Sequence, residues 1–137
     1  MRLSTKGRFA ITAMIDVALR EGSGPVPLSE IAARHQISLS YLEQMFSKLR
    51  QHGLVESTRG PGGGYALGHR SDSITVADVI GAVEDNLTGQ TDPLVPKMAQ
   101  DLTQELWDNL NSKMVDYMQS ITLRSLVVEQ RAKGIRV

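Results

Sequence analysis

"LSYLEQMFSKLRQHGLVESTRGPGGGY", residues 39–65, carries the pattern from which the architecture follows. Apolar side chains recur in its first half at spacings of three and four residues, which predicts an amphipathic helix over 39–52. The residues expected to face inward are Leu39, Leu42, Phe46 and Leu49. Ser38 is a suitable N-cap, and Gly53 stands where a C-terminal glycine belongs. "LVESTR" and "GYALG" then predict two short strands joined by a glycine loop over 60–64.

Helices are predicted on both sides of this segment, so the expected fold class is mostly α with a small β-hairpin. Two helices precede it, over 5–20 and 28–35, and "ITVADVIGAVED" predicts a fourth helix with Thr75 as its cap. Three short helices followed by a hairpin is the order of a winged helix-turn-helix. We assign that domain to residues 1–85.

The C-terminal part predicts one long helix with a single apolar stripe. Its large apolar residues are spaced alternately by three and four, which is the pattern of a coiled-coil seam. These candidate dimerisation residues are Trp107, Leu110, Met114, Tyr117 and Ile121. The alternative is that the stripe only covers the core of its own chain. Residues 86–101 contain a glycine and two prolines and are predicted to be a loop, and 102–137 form the dimerisation helix and tail.

An arginine-led glycine loop beside a helix has two interpretations. A nucleotide-binding phosphate loop needs a strand before it, a Lys-Ser/Thr pair at its end and a helix after it. Here the loop ends in Tyr65 and a second strand, which favours the wing of a DNA-binding domain. Glycines allow the backbone of such a wing to approach another surface, and Arg59 can reach into a groove of the duplex.

The outer face of the helix over 39–52 carries groups that suit base edges and phosphates. Glutamine pairs with adenine, glutamate accepts a hydrogen bond from the cytosine amino group, and lysine neutralises phosphate. An ordinary solvated face is the competing interpretation. The predicted DNA-binding residues are Ser38, Ser40, Tyr41, Glu43, Gln44, Lys48, Arg50, Arg59, Gly60, Gly62 and Gly63.

The charge distribution is consistent with an N-terminal half that binds DNA and a C-terminal half that has another function. Residues 1–70 carry nine Lys or Arg against five Asp or Glu, whereas 71–137 carry six against ten. The chain has no cysteine and no apolar run long enough to span a membrane, so we expect a cytoplasmic protein without membrane association. No nucleophile–base pair or converging carboxylates indicate an enzyme. The three histidines show no paired spacing, so no metal site is expected.

Three segments resemble the iron–sulfur cluster regulators of the IscR family. They are "MRLSTKGRFAITAMIDVAL", "GPVPLSEIAARHQISLSYLEQMFSKLR" and "GLVESTRGPGGGYALG", and the similarity resumes at "LTQELWDNLNSKMVDYMQSITLRSLV", residues 102–127. The resemblance implies a homodimeric bacterial transcription factor that binds double-stranded DNA, with a pseudo-palindromic operator of about 25 base pairs. The residues that stand at the family's DNA-contacting positions are Ser40, Tyr41, Glu43, Gln44 and Arg59.

One departure from that family concerns its cofactor. The resemblance implies a [2Fe–2S] cluster held by three cysteines before the dimerisation helix and a histidine at the start of that helix. Here Asp101 stands at the last cysteine position and Gln104 at the histidine position. Because soft thiolates are the ligands that hold such clusters, we expect a regulator without a cluster. A regulator that senses a different ligand through residues 86–101 is the alternative.

Overall fold

The computed structural model describes residues 5–84 and 97–134. These residues form six α-helices and one two-stranded antiparallel hairpin, which confirms the predicted fold class. In chain order the elements are α1 (Thr5–Leu19), α2 (Leu28–His35), α3 (Leu39–Gln51), β1 (Val55–Thr58), β2 (Gly64–Leu67), α4 (Val76–Val83), α5 (Lys97–Gln119) and α6 (Leu123–Ala132). A short 3₁₀ turn, Ser71–Ser73, lies between β2 and α4.

The predicted helix caps are present. Ser38 Oγ accepts a hydrogen bond from the backbone N–H of Tyr41 at 3.4 Å, and Gly53 after the end of α3 has a φ of 75°. Thr75 forms the predicted cap of α4 as a capping box with Asp78, and the structure adds a second capping box, between Thr122 and Ser125 at the start of α6. Each cap satisfies backbone groups that a helix end leaves unpaired, so the caps fix where these helices begin.

One hydrophobic core joins α1, α3, α4 and α6. Leu42, Phe46 and Leu49 of α3 are completely buried in it, as predicted. The prediction for Leu39 is wrong, because its side chain is 44% exposed. Leu39 is the first residue of α3 and lies beyond the edge of the core, whereas Met45 is only 2% exposed and fills the position that sequence spacing did not assign.

The hairpin is fastened to the body of the domain at its base. Its register runs from the Val55–Leu67 pair to the Thr58–Gly64 pair. Val26 and Tyr65 exchange two backbone hydrogen bonds of 2.8 and 2.9 Å. A Cβ on Gly64 would lie 2.4 Å from the Val26 carbonyl, so only glycine permits this approach. The wing is therefore held rigidly at its base and projects its tip.

The long helix differs from its predicted bounds at both ends. α5 begins at Lys97, so residues 97–101 of the predicted loop are helical, and the rest of that loop lies outside the described residues. α5 ends at Gln119, so Ile121 lies in the link to α6 instead of on the helix. There its carbonyl accepts a 2.8 Å hydrogen bond from Val76 N–H.

Candidate nucleic-acid interface

The predicted contact residues of α3 lie on the side of the helix that faces away from the core. Ser38, Ser40, Glu43 and Gln44 are exposed, and Tyr41 and Lys48 are half-buried. The Ser38 and Ser40 hydroxyls are 3.0 Å apart at the helix start. The structure thus brings the predicted residues of α3 together on one polar surface.

An aromatic contact holds this surface against the first helix. The rings of Phe9 in α1 and Tyr41 in α3 meet edge to face, with centroids 5.8 Å apart and planes at 86°. This geometry favours the positive ring edge against the negative ring face. It fixes the N-terminal half of α3 relative to α1.

The wing tip presents Arg59 on a turn that requires glycine. Arg59 is exposed, and Gly60 and Gly62 have φ values of 94° and 76°, which L side chains rarely adopt. Gly63 has a steric role, since a Cβ there would lie 2.3 Å from the Thr58 carbonyl oxygen. Its backbone N–H donates to the Gly60 carbonyl at 2.9 Å, so this donor is used within the turn.

Arg50 lies between the helix and the wing. It is exposed near the end of α3, and its Nη1 donates to Ser57 Oγ on β1 at 3.5 Å. Within residues 5–84 and 97–134, no ion pair engages Lys48, Arg50 or Arg59. These charges are therefore available for phosphate. The Glu43 carboxylate is likewise without an ion pair in the described parts of the chain.

α1 contributes a cation that the sequence pattern did not reveal. The half-buried Lys6 lines a small cleft together with Tyr41, Gln44, Met45 and Lys48 of α3. Periodicity places Lys6 at the start of α1, but only the packing of two helices shows which side of α3 it reaches. Lys6 belongs to the candidate interface by position.

Asp16 joins α1 to α2 through ion pairs. Its side chain is fully buried and accepts hydrogen bonds from Arg34 at 2.8 and 2.9 Å and from Arg20 at 2.9 Å. His35 Nε2 lies 2.7 Å from Asp16 Oδ2, the oxygen that also accepts from Arg34 Nε. Burial alone raises the pKa of Asp16, but hydrogen bonds from Arg34 and His35 outweigh it and hold the pKa below its ordinary value of 3.8. A single aspartate on the apolar side of α1 was the available sequence signal.

A second surface, on α5, is apolar and open. Trp107 is 51% exposed and Tyr117 is 67% exposed, and Leu110 is also exposed. Met114 is half-buried and lines a groove of about 610 Å³ whose other walls come from α1 and α4. The stripe continues toward the N-terminal end of α5, beyond the residues that the sequence spacing predicted. The additional exposed residues are Met98, Leu102 and Leu106.

The donor groups do not fit an iron–sulfur cluster. The chain has no cysteine, and the Gln104 amide donates its Nε2–H to Asp108 at 2.7 Å. The Asp101 side chain lies outside what the structure describes. Across 5–84 and 97–134, no three His, Cys, Asp or Glu side chains are grouped to hold a metal ion.

The helices in the described part of the chain are all too short or too polar to cross a membrane.

Comparison with known proteins gives close relatives along nearly the whole chain. The IscR transcriptional regulator of Sodalis glossinidius is 52% identical over 130 residues, which cover 93% of this chain and 79% of that protein. IscR of Escherichia coli O1:K1 is 49% identical over 138 residues, with 98% and 85% coverage. Both are helix-turn-helix transcriptional regulators by name.

Solved structures show the same fold. IscR of T. potens superimposes with a TM-score of 0.82 at 33% identity, covering 100% of this chain and 93% of that one. CymR, described as the global cysteine regulator of B. subtilis, gives 0.80 at 37% identity, with 94% and 98% coverage. The predicted resemblance and the winged helix-turn-helix are both confirmed. The model of the Rrf2 family, described as iron-dependent transcriptional regulators, matches residues 3–129, and the chain belongs to this family of DNA-binding regulators.

Proposed function

We propose that this protein is a sequence-specific regulator that binds, as a homodimer, a pseudo-palindromic operator of about 25 base pairs. The observation that carries the proposal is the exposed polar face of α3 beside a wing tipped by Arg59, with no ion pair engaging its Lys48, Arg50 and Arg59 in the described residues. It acts in the cytoplasm on double-stranded DNA and is not an enzyme.

Each group on this surface has a distinct role in the proposal. α3 enters the major groove, where Gln44 reads adenine and Glu43 accepts from the cytosine amino group. Arg59 enters the adjacent minor groove. The remaining cations, Lys48 and Arg50, contact phosphates and set the register of the protein on the duplex.

The apolar stripe of α5 supports the homodimer. α5 has 23 residues and is about 35 Å long at 1.5 Å per residue. Large apolar side chains remain exposed along it from Met98 to Tyr117. An exposed apolar surface of this extent is typical of a site that packs against another protein. A second copy offers the same stripe, and a twofold axis lets each stripe pack on the other. Two recognition helices about 34 Å apart then meet successive turns of DNA.

We propose that this member works without a [2Fe–2S] cluster. The family is described as iron-dependent, yet the thiolates that iron–sulfur chemistry needs are absent from this chain. Oxygen and amide groups replace them at Asp101 and Gln104. Metal analysis of protein purified without chelators is expected to show no stoichiometric iron.

A second candidate keeps the DNA-binding function but assigns a different signal. The similarity to CymR, described as a global cysteine regulator, favours a regulator that responds to a small metabolite. Residues 86–101 are where we place that sensor. A metabolite that shifts the melting temperature and the DNA affinity together is the expected result for this candidate.

Selection of bound sequences from random DNA tests the main proposal. The purified chain is expected to enrich a pseudo-palindrome of roughly 25 base pairs, with the same motif whether or not iron and reductant are present. Sedimentation in the same buffer is expected to show a dimer. Failure to enrich any motif, or a motif that appears only with iron, contradicts the proposal.

A further inference from the structure

The small cleft between α1 and α3 combines two cations with a polar edge of the recognition helix. Tyr41, Gln44 and Lys48 are spaced by three and four residues, so they form one stripe along α3. Lys6 of α1 faces that stripe across the cleft, and the buried Met45 forms its floor.

The charges in the cleft are unbalanced. Lys6 and Lys48 are both half-buried, and none of the described residues that line the cleft is acidic. Neither lysine forms an ion pair within 5–84 and 97–134. Two like charges that share a partly desolvated cleft repel each other, and an anion between them removes that repulsion.

Packing holds Lys6 in this place. Lys6 and Phe9 are three residues apart and therefore lie on the same side of α1. Phe9 is the residue whose ring meets Tyr41 edge to face at 5.8 Å. The contact that fixes α1 on α3 thus also fixes Lys6 beside Gln44 and Lys48.

The volume of the cleft limits which anion it can bind. Its volume is about 30 Å³, whereas pockets for metabolites measure about 300–1,000 Å³. A free metabolite therefore has no room, but one phosphate oxygen of a duplex lying along α3 does.

We infer that this cleft seats a phosphate of the DNA backbone, held between Lys6 and Lys48, and that α1 is a third DNA-contacting element beside α3 and the wing. The inference rests on the proposed operator-binding function. The contact positions the protein on DNA and carries no base information, because phosphate is the same at every base pair.

The salt dependence of binding measures this contact. Each neutralised phosphate contributes about 0.9 to the slope of log affinity against log salt, so Lys6→Gln is expected to make the dimer's slope shallower by about 1.8. The losses on the selected operator and on random duplex are expected to be equal in fold-change. Lys6→Arg keeps the charge and is expected to restore the wild-type slope.

Matched variants separate this inference from the proposed function. Lys133→Gln removes the lysine that follows α6 and pairs with Glu129, and it is expected to leave the slope unchanged. If Lys6→Gln behaves like Lys133→Gln while Gln44→Ala weakens operator binding, the phosphate contact is refuted and the proposed function stands. If neither Lys6→Gln nor Gln44→Ala affects binding, the proposed interface itself is wrong. A loss for Lys6→Gln confined to the operator also overturns the inference.

Discussion

Asp16 and Glu43 are two carboxylates in opposite surroundings. Asp16 is buried and receives hydrogen bonds and charge from Arg20, Arg34 and His35. Glu43 is exposed on α3 and has no ion pair among the described residues. The first carboxylate is stabilised by the fold, whereas the second, in the proposed complex, is paired only when DNA presents a suitable donor.

Asp16→Asn is expected to destabilise the domain by about 3 kcal/mol at neutral pH, because it leaves the guanidinium groups of Arg20 and Arg34 without their buried anion. The pKa of Asp16 lies below 3.8 in the folded state, so its contribution is present above that pH and is lost as the pH falls further. Urea unfolding at pH 7 and at pH 3 measures both effects. The difference between the two proteins is expected to shrink at the lower pH.

Asp116→Asn, an exposed position on α5, is the control for that experiment and is expected to change stability little. Equal stability of wild type and Asp16→Asn at neutral pH would show that the buried ion pairs do not hold α2 on α1.

Glu43→Ala is expected to broaden the set of bound sequences. In the proposed complex, phosphates repel the carboxylate unless a cytosine amino group or another donor pairs with it, so we expect Glu43 to exclude sites that offer none. Selection from random DNA with both proteins makes the comparison. An unchanged motif with unchanged information content at each position would remove this role for Glu43.

At the scale of the elements, features that depend on residues close in sequence could be predicted, and features that depend on residues far apart could not. The caps at Ser38, Thr75 and Thr122 depend on residues within one turn, and all three were predictable. Which of the two residues is buried, Met45 in place of the predicted Leu39, depends on where the neighbouring helices end.

The same distinction applies to the candidate site. The polar face of α3 and the glycine tip of the wing follow from periodicity and composition. The partners of Asp16 and the approach of Lys6 to α3 join residues that are far apart in sequence. No spacing rule brings such residues together, so only the packed structure shows them.

The exposed apolar stripe of α5 leads to a prediction about dimer formation. Leu106 is 61% exposed, and burying a leucine in an interface contributes about 1.5–3 kcal/mol. Leu106→Glu is expected to give a monomer, since each dimer would bury two carboxylates. Sedimentation at micromolar concentration measures the change, and circular dichroism is expected to show an intact fold.

Ser112→Glu places the same charge on another side of α5, at an exposed position, and is expected to remain dimeric. A dimeric Leu106→Glu variant with wild-type operator affinity would assign the interface to a different surface.

In the whole molecule, the link between α5 and α6 is joined to the segment before α4 at two backbone points. Val76 N–H donates to the Ile121 carbonyl at 2.8 Å, and Leu123 N–H donates to the Ile74 carbonyl at 2.9 Å. Thr75 and Thr122 form a bridge between the same segments, and each caps a helix. The joint therefore has little freedom to swivel.

In the proposed homodimer, a stiff joint of this kind fixes the distance between the two DNA-binding domains. The two domains of that proposed dimer then keep one separation and one relative rotation, so binding selects the spacing between the operator half-sites as well as their sequence. One base pair inserted at the centre of the operator would put one domain out of phase with its groove, even if both half-site sequences were unchanged.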